Sequence, residues 1–484
     1  MKITYKRAGS ALRKLFLAEV AAVCFLSFPA KAVTQNQNPA VVSQSEKKEK
    51  KGWNYTVSGN KKNYYYVKAD KNRAYGWIKV NGKTYYCSKK TGYRLTGIRK
   101  ISGHYYYFSD KGVLTTGWNE IDGKRYYFSK SKKYALPGLQ KVGKYRYYFS
   151  KKGRAKTGWI KVGSHQYYFG KKGRAATGLT TINASDYYFT SKGIMKTGLV
   201  KINDATYYFQ KDGKMLKLGF TPGKRYCYKD GKILQTSSLK KLLKTALGPV
   251  GHTLYVWGGG WSDVDNGDDY ASGIDAVTIG VPERWNEFFN SYGSEYNYRN
   301  TRFQTRNGLD CSGYVGWTLY NTFYNTSGNL GFVMLAENMA STYAKYGFGT
   351  YTPAGSISAY RQGDFRPGDI MSLASGHVYI VVGHCSDGSV VLLHSSPPGV
   401  MISGTCTPGG SALSEANALS SKYMKKYFPE YYSKFSGRLS KGTDYLTRYS
   451  RMRWKITGNK LMTDPDGFAD MNAGQVLRDL LGPV

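Results

Sequence analysis

A glycine recurs at intervals of 20 or 21 residues through much of the first half of this 484-residue chain. The glycines are Gly76, Gly97, Gly117, Gly138, Gly158, Gly178, Gly198 and Gly219. Each interval carries an apolar pair, a short turn, an aromatic triplet and a Lys/Gly turn, and its apolar and polar residues alternate, which predicts a β-hairpin. Because one hairpin cannot bury its own apolar face, the repeat predicts an all-β solenoid of stacked hairpins over residues 53–235.

The same segment carries most of the excess charge of the chain. Residues 53–235 hold 39 Lys and Arg against 8 Asp and Glu, a net of +31 out of the total of +40. Residues 236–484 hold 22 against 20, so they are close to neutral. A basic surface of this size predicts an extended anionic partner, with the simple solubility of Tyr-rich hairpins as the alternative.

The first 32 residues have the three parts of an export signal. A positive start is followed by an apolar stretch from Leu15 to Phe28, and Ala30-Lys31-Ala32 fits a cleavage site. Residues 33–52 are polar and charged without apolar periodicity, which predicts a solvated linker. Since no apolar run reaches the ~18–20 residues of a membrane span, we expect a secreted protein without such a span.

The repeats resemble the choline-binding and glucan-binding repeats of Gram-positive surface proteins, most clearly in TGWIKVGSHQYYFGKKGRAATG. The resemblance implies wall association, with peptidoglycan and anionic wall polymers rather than nucleic acid as partners. It also implies cation–π cages of aromatic rings. Here the Trp that opens the cage triplet is replaced, for example by Arg125 and Gln166. We therefore expect wall polysaccharide to stack on exposed aromatic rings, namely those of Trp77, Trp118, Trp159, Tyr127, Tyr148 and Tyr168.

A candidate nucleophile lies in the second half, from Ser237 onward, where the repeat stops. Asp310-Cys311-Ser312-Gly313 precedes an aromatic and apolar stretch, YVGWTLYNTF, that can form a buried helix. Cys311 would then lie at the helix N-terminus, where the macrodipole and unpaired N–H groups stabilise a thiolate. A thiolate is the nucleophilic form of Cys, so this position favours catalysis.

Two histidines follow on apolar, β-rich stretches. GHVYIVVG contains His377, SVVLLH ends in His394, and the midpoint of the loop from Gly383 to Gly388 is also the midpoint of the two histidines. In an antiparallel hairpin centred there, the two imidazoles would lie opposite each other on one face. A Cys at a helix start with two such histidines predicts a Cys-His-His triad, although a lone His on a strand is usually structural.

Several motifs of this half are similar, in order and type, to the NlpC family of cell-wall endopeptidases. They are YVWGGG from Tyr255, LDCSG, RPGDIM from Arg366, GHVYIVVG and the later His. The resemblance implies a papain-like α+β fold over residues 236–484 and hydrolysis of peptidoglycan stem peptides, typically after γ-D-glutamate. The predicted architecture is therefore multidomain, with a hairpin-repeat solenoid followed by a papain-like cysteine peptidase domain.

The same resemblance implies a role for each motif residue. Cys311 would be the nucleophile, His377 the general base and acid, and His394 the orienting third residue. Tyr255 would assist the oxyanion and the substrate. The flanking residues Asp310 and Ser312 would line the stem-peptide subsite.

An acidic insert departs from the family pattern. About 50 residues, from Trp261 to Asp310, separate the WGG stretch from the Cys, and they include DVDNGDD and Trp285. We interpret this insert as a lip over the cleft, with a calcium loop as the alternative; the Gly of DVDNGDD lies one position early for an EF-hand.

The remaining cysteines indicate neither a metal nor another cofactor. No C-x-x-C or H-x-x-x-H pair occurs, which argues against zinc. The sequence leaves open whether Cys385–Cys406 or Cys87–Cys227 form disulfides, and it gives no indication of the oligomeric state.

Two other functions remain open at this point. An N-acetylmuramoyl-L-alanine amidase would use a similar Cys/His pair to cut between sugar and peptide. A non-catalytic wall-binding adhesin would keep the second half only as a scaffold, although the presence of Cys311, His377 and His394 disfavours it.

Overall fold

The structure is a computed structural model of the chain. It describes residues 49–261, 279–302, 304–326, 330–358, 363–439 and 446–484. The predicted export signal, most of the predicted linker and the acidic stretch of the insert therefore lie outside the described residues. The described residues form two compact units, one with residues 49–97 and 108–114, and the other with residues 98–107 and those from 115 onward.

The repeat region consists of nine antiparallel hairpins, as the glycine spacing predicts. Eight of them lie in separate two-stranded sheets, and the third hairpin is extended by one short strand. The strands are β1 (Gly52–Ser58), β2 (Lys61–Val67), β3 (Gly76–Val80), β4 (Lys83–Cys87), β5 (Gly97–Ile101), β6 (His104–Phe108), β7 (Leu114–Thr115), β8 (Gly117–Ile121), β9 (Lys124–Phe128), β10 (Gly138–Val142), β11 (Tyr145–Phe149), β12 (Gly158–Val162), β13 (His165–Phe169), β14 (Gly178–Ile182), β15 (Ser185–Phe189), β16 (Gly198–Ile202), β17 (Ala205–Phe209), β18 (Gly219–Phe220) and β19 (Tyr226–Cys227).

The recurring glycine opens the first strand of each hairpin. At Gly158, for example, φ is +83°, in the left-handed region that side chains other than glycine rarely adopt. The two-residue turn also has positive φ where it is Asn81-Gly82, as a type I′ hairpin turn requires. The glycine period in the sequence therefore reflects a positive φ that recurs at the start of the first eight hairpins.

Backbone hydrogen bonds connect neighbouring hairpins of the second unit. The Ala175 N–H donates to the carbonyl of Arg146 at 2.9 Å, and the Met195 N–H donates to that of Gln166 at 2.9 Å. The Phe that ends each triplet lies fully buried between neighbours, as at Phe169. Stacking of the hairpins, which buries the apolar face that one hairpin leaves exposed, is thus present along this unit.

The last hairpin is part of the core of the C-terminal half. The Tyr226 hydroxyl donates to the carbonyl of Tyr346 at 2.5 Å, and the Tyr228 ring stacks on Phe332 with centroids 4.6 Å apart. Both tyrosines are fully buried. At the other end of the repeats, Glu49 of the predicted linker pairs with Arg73 at 2.7 Å.

The C-terminal half combines helices with one antiparallel sheet of six strands. The strands of this half, six in the large sheet and two in a separate pair, are β20 (Ser237–Ser238), β21 (Gly349–Thr352), β22 (Ile370–Leu373), β23 (His377–His384), β24 (Val390–Ser396), β25 (Gly399–Gly404), β26 (Ser450–Trp454) and β27 (Met462–Thr463). Its helices are α1 (Leu239–Leu247), α2 (Glu283–Asn290), α3 (Cys311–Phe323), α4 (Met339–Lys345), α5 (Glu415–Tyr427), α6 (Pro429–Phe435) and α7 (Ala473–Leu481). Short 3-10 turns cover Tyr298–Thr301, Ala336–Asn338, Ser436–Arg438 and Phe468–Asp470.

The large sheet has the order β21-β26-β22-β23-β24-β25, with β20 and β27 forming a separate parallel pair. Helix α3 packs against β23 and β24, and against α1. This packing brings the N-terminus of α3 to the start of β23, which places the candidate nucleophile beside the candidate base. Within the described ranges, no helix is long and apolar enough to cross a bilayer.

Candidate functional site

Cys311 is the first residue of α3, as predicted. The preceding Asp310 caps the helix, because its carboxylate accepts a hydrogen bond from the Gly313 N–H at 2.6 Å. The Cys311 side chain is buried, and its Sγ lies 3.8 Å from the carbonyl oxygen of Gly376. The thiol therefore lies against the backbone that leads into His377.

The thiol is not stabilised as a thiolate in this arrangement, contrary to our expectation for a helix N-terminus. Burial raises the pKa of Cys311, and the neighbouring Asp310 carboxylate raises it further. The N–H groups of Val378, Ser312 and Cys311 itself lower this pKa, but they do not offset burial. Cys311 is thus a neutral thiol at rest and needs a base to become a nucleophile.

His377 and His394 are in direct contact. His377 Nε2 lies 3.0 Å from His394 Nδ1, and the two rings are nearly perpendicular, at 77°. His394 is completely buried, and its Nε2 lies 2.9 Å from the Ser403 hydroxyl on β25. The structure therefore extends the predicted pair into a chain of three side chains, ending at Ser403.

The register that joins these histidines differs from the predicted one. Ile380 pairs with Leu393 and Val381 with Leu392, and a β-bulge then shifts the register before Gly383. His377 and His394 are consequently diagonal neighbours on one face of the sheet, not directly opposed. Diagonal side chains on one face remain within reach of each other when they are long or aromatic, so the contact survives the shift.

Both histidines are neutral. Burial lowers the pKa of His377 to about 4, and burial together with the nearby His377 holds the pKa of His394 well below its usual range. Two neutral imidazoles can share one hydrogen bond only if one donates and the other accepts. If His394 Nε2–H donates to Ser403, then His394 Nδ1 accepts from His377 Nε2–H, and His377 Nδ1 becomes the basic nitrogen.

Asp310 and Ser312, which the family resemblance assigns to the stem-peptide subsite, are buried, at 9% and 4% exposure. The Ser312 hydroxyl donates to Asp310 at 2.9 Å and accepts from the Trp261 indole N–H at 2.9 Å. The Gly258 N–H donates to the second carboxylate oxygen of Asp310 at 3.1 Å. Burial raises the pKa of Asp310 to about 6 despite these bonds. The two residues therefore fasten the YVWGGG loop to the start of α3.

Tyr255 lies close enough to Asp310 and Cys311 to feel their charge. It is 8% exposed, its ring packs edge-on against Tyr298 at 5.2 Å, and its carbonyl accepts a hydrogen bond from the Tyr296 hydroxyl at 2.6 Å. Burial, Asp310 and Cys311, in that order, raise the pKa of Tyr255, so its hydroxyl remains protonated and able to donate.

The described part of the insert packs into the core of the C-terminal half. Trp285 and Phe289 of α2 are buried, and Trp285 packs against Trp317 of α3 at 5.9 Å. The end of the insert reaches the site, since Tyr298 contacts Tyr255 and the Arg302 guanidinium lies 5.0 Å from the Trp257 ring. The acidic stretch considered for calcium lies outside the described residues.

The five cysteines among the described residues are free thiols. Cys87, Cys227, Cys311, Cys385 and Cys406 form no disulfide with one another, so neither of the two pairings left open by the sequence is present. In the part of the chain that the structure describes, no three His, Cys, Asp or Glu side chains are grouped closely enough to hold a metal ion.

The predicted wall-binding aromatics fall into two groups. Trp77, Trp118 and Trp159 each face a Tyr across their own hairpin, respectively Tyr86, Tyr127 and Tyr168. Trp77 and Trp159 are 44% and 39% exposed. Tyr148 instead faces Leu139, so its hairpin lacks the paired indole. Aromatic surfaces suited to stacking therefore occur on some hairpins only.

Two family models match the chain, and every matched segment lies within the repeats. The choline-binding repeat matches residues 95–132 and 176–220, and the putative cell wall binding repeat matches residues 76–93 and 157–175. The matched segments end before the C-terminal half, so the resemblance to NlpC endopeptidases stays a prediction. Comparison with curated proteins finds no match.

Solved structures similar to the chain include choline-binding proteins. CbpJ from Streptococcus pneumoniae is 26% identical over 38% of this chain and 71% of its own, with a TM-score of 0.35. Choline binding protein F from Streptococcus pneumoniae is 28% identical over 38% of this chain and 64% of its own, with a TM-score of 0.33. On the strength of the family models, the chain carries cell-wall-binding repeats of the choline-binding type.

Proposed function

We propose that this protein is a wall-tethered cysteine peptidase that cleaves an amide bond in peptidoglycan stem peptides. The observation that carries the proposal is that Cys311, at the start of α3, lies beside the start of β23, where His377 contacts His394. Cys311 Sγ lies at the carbonyl of Gly376, and the next residue, His377, contacts His394 at 3.0 Å. A nucleophile, a base and a group that orients the base are the parts that covalent hydrolysis requires.

Hydrolysis would begin with proton transfer from the Cys311 thiol to His377 Nδ1, because His377 Nε2 is engaged with His394. The thiolate would attack the substrate carbonyl, and the N–H at the start of α3 and the Tyr255 hydroxyl would stabilise the oxyanion. Collapse forms a thioester and releases an amine, which takes its proton from His377. Water, deprotonated by His377, then hydrolyses the thioester and restores the thiol.

Burial sets the character of this mechanism. Because burial raises the pKa of Cys311 and lowers that of His377 to about 4, the neutral thiol and neutral imidazole are the resting forms. The ion pair would form only as substrate binds or as attack proceeds. His377 therefore acts as a true general base and is not a pre-charged partner of a standing thiolate.

The repeats would hold this chemistry on the wall of a Gram-positive-type cell after export. Their matches to wall-binding repeat models support tethering, and their net charge of +31 suits anionic wall polymers. The near-neutral C-terminal half adds little to this attraction. Binding and cleavage would thus reside in different parts of the chain.

Product analysis tests the proposal. Purified peptidoglycan is incubated with the full-length protein, and the residue that bears each new amino terminus is identified by mass spectrometry. A stem-peptide endopeptidase releases new amino termini within the peptide, and we expect the new carboxylate on γ-D-glutamate. An amidase would instead free whole stem peptides from the glycan, and an adhesin would release nothing; either result would overturn the proposal.

A further inference from the structure

A short arm of the insert, residues 296–302, lies along the loop that carries Tyr255. The Tyr298 ring packs edge-on against the Tyr255 ring, with centroids 5.2 Å apart. Four residues later, the Arg302 guanidinium carbon lies 5.0 Å from the centroid of the Trp257 ring. Two side chains of the arm thus contact two residues of the loop.

Buried hydrogen bonds hold the arm in this place. The Tyr296 hydroxyl donates to the Tyr255 carbonyl at 2.6 Å and lies 2.8 Å from the Thr301 hydroxyl. All three residues are buried, so breaking these bonds would leave polar groups unsatisfied in the interior. The Asn297 side chain also accepts from the Arg299 N–H at 3.1 Å, which caps the 3-10 turn of the arm. The arm is therefore a fixed wall of the site.

The arm brings a cation close to the reacting groups. Tyr255 is near enough to Cys311 for their charges to interact, and it bridges to Leu309, two residues before the thiol. The Arg302 head group lies over Trp257, two residues after Tyr255. A peptide whose carbonyl meets the thiol would therefore pass beside Arg302.

The pair of Arg302 and Trp257 suits a carboxylate. Both side chains are exposed, Trp257 at 40%. The arm carries a second arginine, Arg299, and no Asp or Glu, so its charge is positive. A guanidinium can contact an indole with its face while the N–H donors in its plane bind a carboxylate in a bidentate manner. The pair thus offers an anionic group a cation beside an apolar surface.

We propose that Arg302, supported by Trp257, is a specificity-determining residue that binds a free carboxylate of the stem peptide next to the scissile bond. When the acyl donor is γ-D-glutamyl, the amide uses the side-chain carboxyl, so the α-carboxylate of the same residue is free and is the group bound. Arg302 belongs to the insert and is not one of the motif residues that carry the NlpC resemblance. This inference rests on the proposed peptidase function and deepens it by naming the group that the insert recognises.

Two soluble stem peptides that differ in one group are the probes. One has the α-carboxylate on the D-glutamyl residue and the other has a carboxamide there; both carry the diamino acid of the peptidoglycan used for product analysis. Initial rates give kcat and KM for the full-length wild type, Arg302→Gln, Arg302→Lys and Arg299→Gln. The last variant removes the other exposed arginine of the arm and is the matched control.

We expect the wild type to prefer the acid over the amide by at least about tenfold in kcat/KM, with the difference in KM. Arg302→Gln should raise KM for the acid by at least about tenfold, leave kcat within about twofold and abolish the preference. Arg302→Lys keeps the charge but not the planar fork, so it should keep part of the preference. Arg299→Gln should change neither constant.

The outcomes separate this inference from the proposed function. Cleavage of both peptides by the wild type with equal kcat/KM would overturn the role of Arg302 and leave the peptidase intact. So would a loss in Arg302→Gln that is the same for acid and amide, and thermal unfolding would then show whether Arg302 serves packing against Trp257. Cleavage of neither peptide by the wild type would overturn the peptidase and this inference with it.

Discussion

The repeat region and the C-terminal half build their functional surfaces in opposite ways. In the repeats, Trp159 pairs with Tyr168 across a hairpin of two five-residue strands, and the pair is partly exposed. In the C-terminal half, Cys311 meets the backbone of Gly376, 65 residues later, and His394 has no exposed surface. Local pairing yields similar, partly exposed aromatic pairs on some of the hairpins, whereas long-range packing yields one cluster whose pKa values depend on burial.

The sharpest way to separate the two regions is to remove the nucleophile. Cys311→Ala should abolish peptidoglycan cleavage, because losing a nucleophile typically costs several orders of magnitude in rate. Wall binding, measured by pull-down, should be unchanged, because the basic surface and the exposed Trp77 and Trp159 lie in the repeats. Residual turnover within about tenfold of wild type would contradict the assignment of Cys311.

His394 tests whether orientation of the base matters as much as its presence. His394→Ala should lower kcat severely, whereas His394→Asn or His394→Gln should lower it much less, since an acceptor for His377 Nε2–H is retained. The comparison is made on kcat with thermal unfolding as the control. Equal losses in the Ala and Asn variants would mean that His394 has a structural role only.

Ser403 tests the far end of the same chain of side chains. Ser403→Ala removes the acceptor that selects the His394 tautomer, and we expect kcat to fall by about tenfold with little change in KM. Ser403→Thr, which keeps the hydroxyl, is the control and should retain most of the activity. A loss confined to stability in both variants would limit Ser403 to packing.

Salt should weaken wall binding by the repeats and leave the rate of hydrolysis unchanged. Raising the ionic strength from 0.1 M to 1 M shortens the Debye length from about 10 Å to about 3 Å, so wall binding should weaken severalfold. Binding should not vanish, because stacking on exposed aromatics survives screening. Unchanged binding at high salt would show that the net charge of +31 contributes solubility alone.

The pH profile gives the smallest expected effect. Burial lowers the pKa of His377 to about 4, so the imidazole stays neutral, and able to accept a proton, down to that pH. Hydrolysis at pH 5 should therefore be within about twofold of that at pH 7. An acid limb near pH 6 would instead point to Asp310, whose pKa burial raises to about 6.

The local parts of the structure could be predicted from the sequence. The glycine period, the hairpins and the position of Cys311 at a helix start follow from residue patterns within about 20 residues. The contact of His377 with His394 was also predicted, but their register was not: Ile380 pairs with Leu393, so the two histidines are diagonal, and a bulge lies between Val381 and Gly383. A β-bulge adds one residue to a strand without changing the pattern of a continuous apolar run, so the register of these strands could not be predicted from the sequence.

The long-range parts could not be predicted. Ser403 reaches His394 from the next strand, and Tyr296 reaches the carbonyl of Tyr255 from within the insert. The pKa of Cys311 is raised, whereas a helix N-terminus was expected to lower it. Burial by distant segments causes this rise and outweighs the effect of the helix terminus. In the repeats, Arg125 could be recognised as a departure from the cage triplet, but only the structure shows it over Trp118.

The central claim is that cleavage needs the C-terminal cluster and not the wall. Its most direct test is the release of new amino termini from a soluble stem peptide that carries no glycan, measured with the full-length protein at low and high salt. We predict release at both salt concentrations, with similar rates, because no repeat contact is required for the chemistry. No release from the free peptide, or release that disappears at high salt, would contradict the separation of binding from cleavage.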